Sequence, residues 1–180
     1  MWTAPDAFFR ADQDGKVYRS RDGGVRWEEL GAGPLRGESL RVDGAREAIL
    51  YLHGGGYVAG HPRVYRNLCA RLARRLSADV FVPEYRLAPE HPFPAAVDDA
   101  LAAVRWVADN AAELGVDPAR LAVGGDSAGG NLAAVVSQQL RDSGPAIAFQ
   151  LLVYPVTDAK LILPSIDENA VGYFLEKETM

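Results

Sequence analysis

Leu121 to Val136 reads LAVGGDSAGGNLAAVV, and this stretch constrains the fold more than any other part of the chain. A short apolar run, Leu121 to Gly124, has the length of a buried strand. Ser127 to Leu140 has helical spacing, with Leu132, Val135, Val136 and Leu140 on the inner side. Gly125-x-Ser127-x-Gly129 joins the two with no residues to spare. A turn that tight forces Ser127 into a strained backbone, and side chains at 125 or 129 would clash. The helix start beneath the serine offers unpaired N–H groups and a field that favours negative charge. An ordinary glycine-rich turn is the plain alternative, but the strand before and the helix after favour a serine aimed outward.

The same alternation extends upstream and downstream. Glu47 to Leu52, Asp79 to Val82 and Ile147 to Tyr154 read as further strands. Pro62 to Leu76 and Pro94 to Ala108 read as helices, the second with Val97, Leu101, Val104 and Ala108 on one face. Asp117-Pro118 marks a turn. Four strands separated by three helices predict right-handed crossovers and a parallel sheet covered on both faces.

The chain has 180 residues, 48% hydrophobic and 24% charged, enough for one domain with a core. A net charge of -5 argues against nucleic-acid or anionic-membrane partners. Arg63, Arg66, Arg71, Arg74 and Arg75 form a local basic set. Arg71, Arg74 and Arg75 fall opposite Leu68, Leu72 and Leu76, which reads as a solvated helix face. Cys69 is the only cysteine, which leaves no disulfide framework and no thiolate metal site; it reads as a small, partly buried apolar residue. No secretory signal and no apolar run of about 20 residues is visible, so a cytoplasmic protein is the default.

The first thirty-odd residues differ in kind. Lys16 to Arg19 and Val25 to Leu30 flank Asp22-Gly23-Gly24 and read as a β-hairpin. SRDGGVRW, Ser20 to Trp27, resembles the Asp-box of sialidase-like β-propellers, with Arg26 in place of a threonine. Propellers need repeated blades and one copy is present. A plain hairpin and a segment joined from another gene both stay open. Residues 1–36 are therefore set apart from 37–180.

Glu47 to Gly60 reads EAILYLHGGGYVAG. Three glycines directly after a strand, Gly54 to Gly56, let backbone N–H groups converge on a small anion. Acyl transfer needs such donors where a tetrahedral oxyanion forms. A phosphate loop is the competing idea, but no Lys-Ser or Lys-Thr follows and G-x-G-x-x-G spacing is lacking.

HGGG at 53–56, EYRLAPEHPFPAA at 84–96 and GDSAGGN at 125–131 together resemble the hormone-sensitive-lipase family of α/β-hydrolase esterases. LLVYPVTD at 151–158 and ENAVGYFL at 168–175 extend the likeness, which runs from about Ala45 to Met180. The resemblance implies a three-layer α/β fold with a mostly parallel sheet, and hydrolysis of small carboxylic esters without metal or cofactor. It implies Ser127 as nucleophile and the N–H groups of Gly55, Gly56 and Ala128 as the oxyanion hole. His53, Gly54, Gly125, Asp126 and Gly129 would support these loops.

The pattern breaks in two respects. Family members place an acid and then a histidine after the serine. Here His53, His61 and His91 all precede Ser127. His61 and His91 read as polar loop residues. Asp158, Asp167, Glu168, Glu176 and Glu178 follow the serine with no histidine to orient. The usual N-terminal cap helices are replaced by the hairpin segment. The expectation is a truncated or chimeric product whose sheet lacks its last two strands, with an exposed edge able to self-associate. The rivals are a catalytically dead module and a binding protein built on the Asp-box-like hairpin.

Overall fold

A computed structural model describes residues 25–30, 36–160, 162–173 and 175–179. Among the described residues six strands form one sheet: β1 (Val25–Leu30), β2 (Gly37–Val42), β3 (Glu47–Leu52), β4 (Ala78–Pro83), β5 (Leu121–Asp126) and β6 (Phe149–Val153). Their order is β1-β2-β4-β3-β5-β6. β3 runs parallel to β4 and β5, and β5 parallel to β6, whereas β2 is antiparallel to both β1 and β4. The helices are α1 (Arg66–Leu76), α2 (Ala95–Asp109), α3 (Ala111–Leu114), α4 (Ala128–Leu140) and α5 (Pro164–Glu168).

Alternation along the central strands divides their side chains between two cores. Leu50, Leu52, Phe81 and Val123 meet Leu101, Val104 and Val107 of α2 and Leu132, Val136 and Leu140 of α4. Ile49, Tyr51, Val80 and Val82 meet α1 on the other face. All six residues of β4 are buried, as expected of a strand covered on both sides.

Five expectations need correction. The first part of the stretch predicted as a helix from Pro62 is a separate 3₁₀ turn, Pro62–Tyr65. α1 does not bury Leu68 and Leu76, which are exposed: Cys69, Ala70 and Ala73 face the sheet, with Leu72 partly buried beside them. Small side chains let the helix lie close to the strands, and that outweighs the spacing of the leucines. Cys69 is fully rather than partly buried, which pushes its thiol up to about 12. β5 runs two residues further than predicted, so that Gly125 and Asp126 still pair with Leu152 and Val153.

The fifth correction concerns the N-terminal hairpin. Val25–Leu30 is a strand, but it pairs with Gly37–Val42, a strand the sequence did not suggest. The other arm, Lys16 to Arg19, and the Asp22-Gly23-Gly24 turn lie outside the described residues. β2 escapes notice because its buried positions include Glu38 and Ser39. Glu38 is tolerated there because the Arg66 guanidinium of α1 grips both its carboxylate oxygens. Arg66 in turn lies 5.2 Å over the Trp27 ring of β1, which ties helix and hairpin together.

Candidate active site

Ser127 stands alone between the end of β5 and the start of α4, with φ 52° and ψ −119°. A serine before a helix ordinarily caps it with its hydroxyl. This one makes no such bond. Its main chain is fully engaged instead. The N–H donates to the Val153 carbonyl at 3.0 Å, and the carbonyl accepts from Asn131 and Val156. A rare conformation is thus held from three directions.

The flanking glycines are required by contact. A Cβ on Gly125 would lie 2.4 Å from the Leu52 oxygen, and one on Gly129 would lie 2.0 Å from it. Both contacts arise because β3 ends beside β5, with Leu52 opposite Gly125. The loop His53 to Gly56 and the turn at Ser127 therefore leave the sheet at the same end.

Within that loop, Gly55 has φ +131° and its absent Cβ would meet the Ala59 oxygen at 2.0 Å. Gly56 has φ +62°, and an added Cβ would meet only Val58 Cγ2, at 3.9 Å. Gly54 donates to Tyr65 Oη at 2.9 Å and to Asp126 Oδ1 at 3.2 Å. Among the described residues no hydrogen bond uses the N–H of Gly55 or Gly56. These two donors stay available, as does Ala128 at the first position of α4.

Asp126 and His53 hold the loops. Asp126 is buried and accepts from Tyr51 at 3.1 Å and Tyr65 at 2.9 Å besides Gly54. Burial and then the Asp126 charge raise the pKa of the Tyr51 phenol. Tyr65 is pushed up to about 12 by burial and its bond to Asp126, with the Gly54 N–H pulling the other way. His53 stacks on Tyr85 at 4.2 Å, its Nδ1 lies 2.8 Å from the Gly54 oxygen, and its carbonyl accepts from Tyr85 at 2.6 Å. Burial holds its pKa below the usual imidazole range. His61 is a cap for its own 3₁₀ turn, accepting from the Arg63 N–H. His91 lines the cavity described next.

Beyond Gly56 opens a cavity of about 590 Å³, walled by Tyr57, Val58, Phe93, Val97 and Val135 among others. Tyr57 bonds Asn131 at 2.9 Å at its edge. Sequence reasoning missed Tyr51, Tyr57 and Tyr65 altogether, since no local spacing marks a residue whose partner is more than sixty positions away.

Residues 49–180 match the model of a family described as the alpha/beta hydrolase fold. The chain belongs to the α/β-hydrolase family, on its hormone-sensitive-lipase-like branch. This hydrolase chain is 50% identical over 133 residues to carboxylesterase NlhH of Mycobacterium tuberculosis, which covers 73% of the chain and 42% of NlhH. It is 46% identical to ethyl acetate hydrolase of Pseudomonas putida over 76% of the chain and 43% of that enzyme. Its fold matches the crystal structure of DphMB1 with a TM-score of 0.81 at 44% identity, over 86% of the chain and 52% of DphMB1. The hydrolase chain thus spans less than half the length of these curated relatives.

Proposed function

We propose that this chain carries the nucleophile half of a serine esterase that hydrolyses small carboxylic esters. The observation that supports it most is Ser127, with a strained backbone and a hydroxyl unused for capping, directly beside a glycine loop with unengaged N–H groups. In this reading the Ser127 oxygen attacks the ester carbonyl carbon, and Gly55, Gly56 and Ala128 donate to the oxygen as it becomes negative. His53, Gly54, Gly125, Asp126 and Gly129 keep the two loops in register. No cofactor takes part.

Among the described residues no hydrogen bond joins the Ser127 hydroxyl to a histidine, and the His53 and His61 rings bond elsewhere. His53, the only histidine in the glycine loop, is held flat on Tyr85 and engaged with Gly54. A second reading follows from this: the 180-residue polypeptide by itself is an inactive module of such an esterase. Residues 37–180 then form the N-terminal part of the hydrolase domain, with 1–36 an atypical addition. A cytoplasmic setting and self-association through the free edge of β6 complete the proposal; no helix among the described residues is long and apolar enough to cross a membrane.

The test is to fuse the chain to the C-terminal part of a carboxylesterase relative, with its acid and histidine, and to assay short p-nitrophenyl esters. Hydrolysis abolished by Ser127→Ala supports the reading. A folded fusion whose hydrolysis is absent, or indifferent to Ser127→Ala, would sink it.

A further inference from the structure

We propose that Tyr65 is a positioning residue that clamps the glycine loop to the residue preceding Ser127. Its hydroxyl has one proton to give and lone pairs to receive, and the structure uses both functions. The proton goes to Asp126 Oδ2 at 2.9 Å, and the Gly54 N–H arrives at 2.9 Å. Gly54 also reaches Asp126 Oδ1 directly, but at 3.2 Å, so the tyrosine is the nearer acceptor. One phenol therefore joins the 3₁₀ turn Pro62–Tyr65, the loop after β3 and the end of β5.

Two further facts make this clamp specific to Tyr65. Tyr51 gives its proton to the same carboxylate at 3.1 Å, yet no bond joins its hydroxyl to Gly54. And the Tyr65 ring lies 5.9 Å from the His53 ring and 5.8 Å from the Tyr51 ring, so its place is fixed by packing against both. The consequence for chemistry rests on the esterase reading. With its N–H consumed, Gly54 is withdrawn from the oxyanion site. Its peptide plane becomes the fixed point from which Gly55 and Gly56 present theirs. A charged donor–acceptor chain of this kind is stronger than a neutral one and gives the loop a single orientation.

Amide hydrogen exchange, resolved residue by residue along 53–56 in the 180-residue chain, tests the clamp without any need for turnover. In the unaltered chain Gly54 should exchange slowly and Gly55 and Gly56 quickly. Tyr65→Phe should speed Gly54 by on the order of tenfold while β3 and β5 keep their protection. Tyr51→Phe, which removes a donor to the same carboxylate, should leave Gly54 protected. Equal exchange at the three glycines of the unaltered chain would overturn the proposal even if Tyr65→Phe failed to fold. So would a Gly54 amide insensitive to Tyr65→Phe, or one that responds equally to Tyr51→Phe. None of these outcomes bears on whether Ser127 is a nucleophile, which the fusion assay decides separately.

Discussion

Gly129 of α4 and Leu52 of β3 approach so closely that a Cβ on the glycine would stand 2.0 Å from the leucine's carbonyl oxygen. Backbone meets backbone there, and neither can rotate aside. Gly129→Ala must therefore push α4 away from the sheet and disturb the core around Leu132 and Val136. Overpacking of this kind costs about 1–3 kcal/mol, and a rigid backbone contact belongs at the upper end. Gly115 is the control: its φ is +74°, but nothing lies within 4 Å of an added Cβ. Gly115→Ala should cost only about 1 kcal/mol of left-handed strain. Urea melts of the two variants should rank in that order.

The grip of Arg66 on buried Glu38 predicts an asymmetric pair of mutations. Arg66→Ala leaves a carboxylate without its main partner in a site 5% exposed, with Arg63 only at 3.7 Å. Loss of one partner of a buried pair costs about 3–5 kcal/mol, and the partial exposure of Arg66 argues for the lower figure. Arg66→Lys should recover little, because an ammonium cannot bond both oxygens in parallel or stack on Trp27. Replacing both charges, Glu38→Leu with Arg66→Met, should recover most of the loss. Denaturant melts compare the three; a lysine variant as stable as the parent would contradict the bidentate account.

His53 gives the chain a pH dependence whose sign can be worked out. Burial first of all lowers its folded pKa from 6.5, with the bond to Gly54 and the Asp126 charge opposing. Below 6.5 the unfolded state takes up a proton that the folded state refuses. Stability from this residue is thus fully present above 6.5 and is lost as pH falls towards the folded value. His53→Gln should flatten the slope of unfolding free energy between pH 7 and 5, by at most about 1.4 kcal/mol per pH unit. Identical slopes for parent and variant would show that His53 does not titrate as described.

The parts of this architecture that were legible are those where geometry forbids substitution. Gly125, Gly129 and the glycine loop stand out because close backbone contacts leave them no alternative, and strands such as Glu47 to Leu52 and Leu121 to Gly124 announce themselves as short apolar runs. β2 was not legible, since Glu38 and Ser39 look like surface residues until Arg66 arrives from α1. The inner face of α1 was misread for the opposite reason: Leu68 and Leu76 are more apolar than Ala70 and Ala73, but too large for a helix seated this close to the sheet. The Tyr65–Asp126 pair spans 61 positions, and nothing local to either residue points to the other.

β6 pairs with β5 on one side, and among the described residues no strand takes its other side. Phe149 is 65% exposed and Leu152 38%. The strand FQLLV has no charge or proline to discourage pairing with another chain. The 180-residue polypeptide should therefore sediment as oligomers whose proportion rises with concentration. Leu152→Lys should shift it towards monomer without lowering its melting temperature appreciably. A parent chain that is monomeric at all concentrations would remove this surface from consideration.

The last expectation concerns turnover by the 180-residue polypeptide itself. A serine hydroxyl is a weak nucleophile until a base takes its proton, and each histidine of this chain is committed elsewhere or remote in sequence from the serine turn. In a triad hydrolase the loss of the histidine alone costs on the order of 10⁶ in kcat, about as much as losing the whole triad. Oxyanion donors and binding retain roughly 10³ to 10⁴ over water where the pocket is complete. Here Gly56 lines a cavity in which Phe93 is 87% exposed, so a bound ester would stay in contact with water and gain less. Hydrolysis of p-nitrophenyl acetate by the chain should thus match that of its Ser127→Ala variant within error. Turnover at esterase rates that disappears in Ser127→Ala would mean that one of His53, His61 or His91 reaches the serine, and their single replacements would show which.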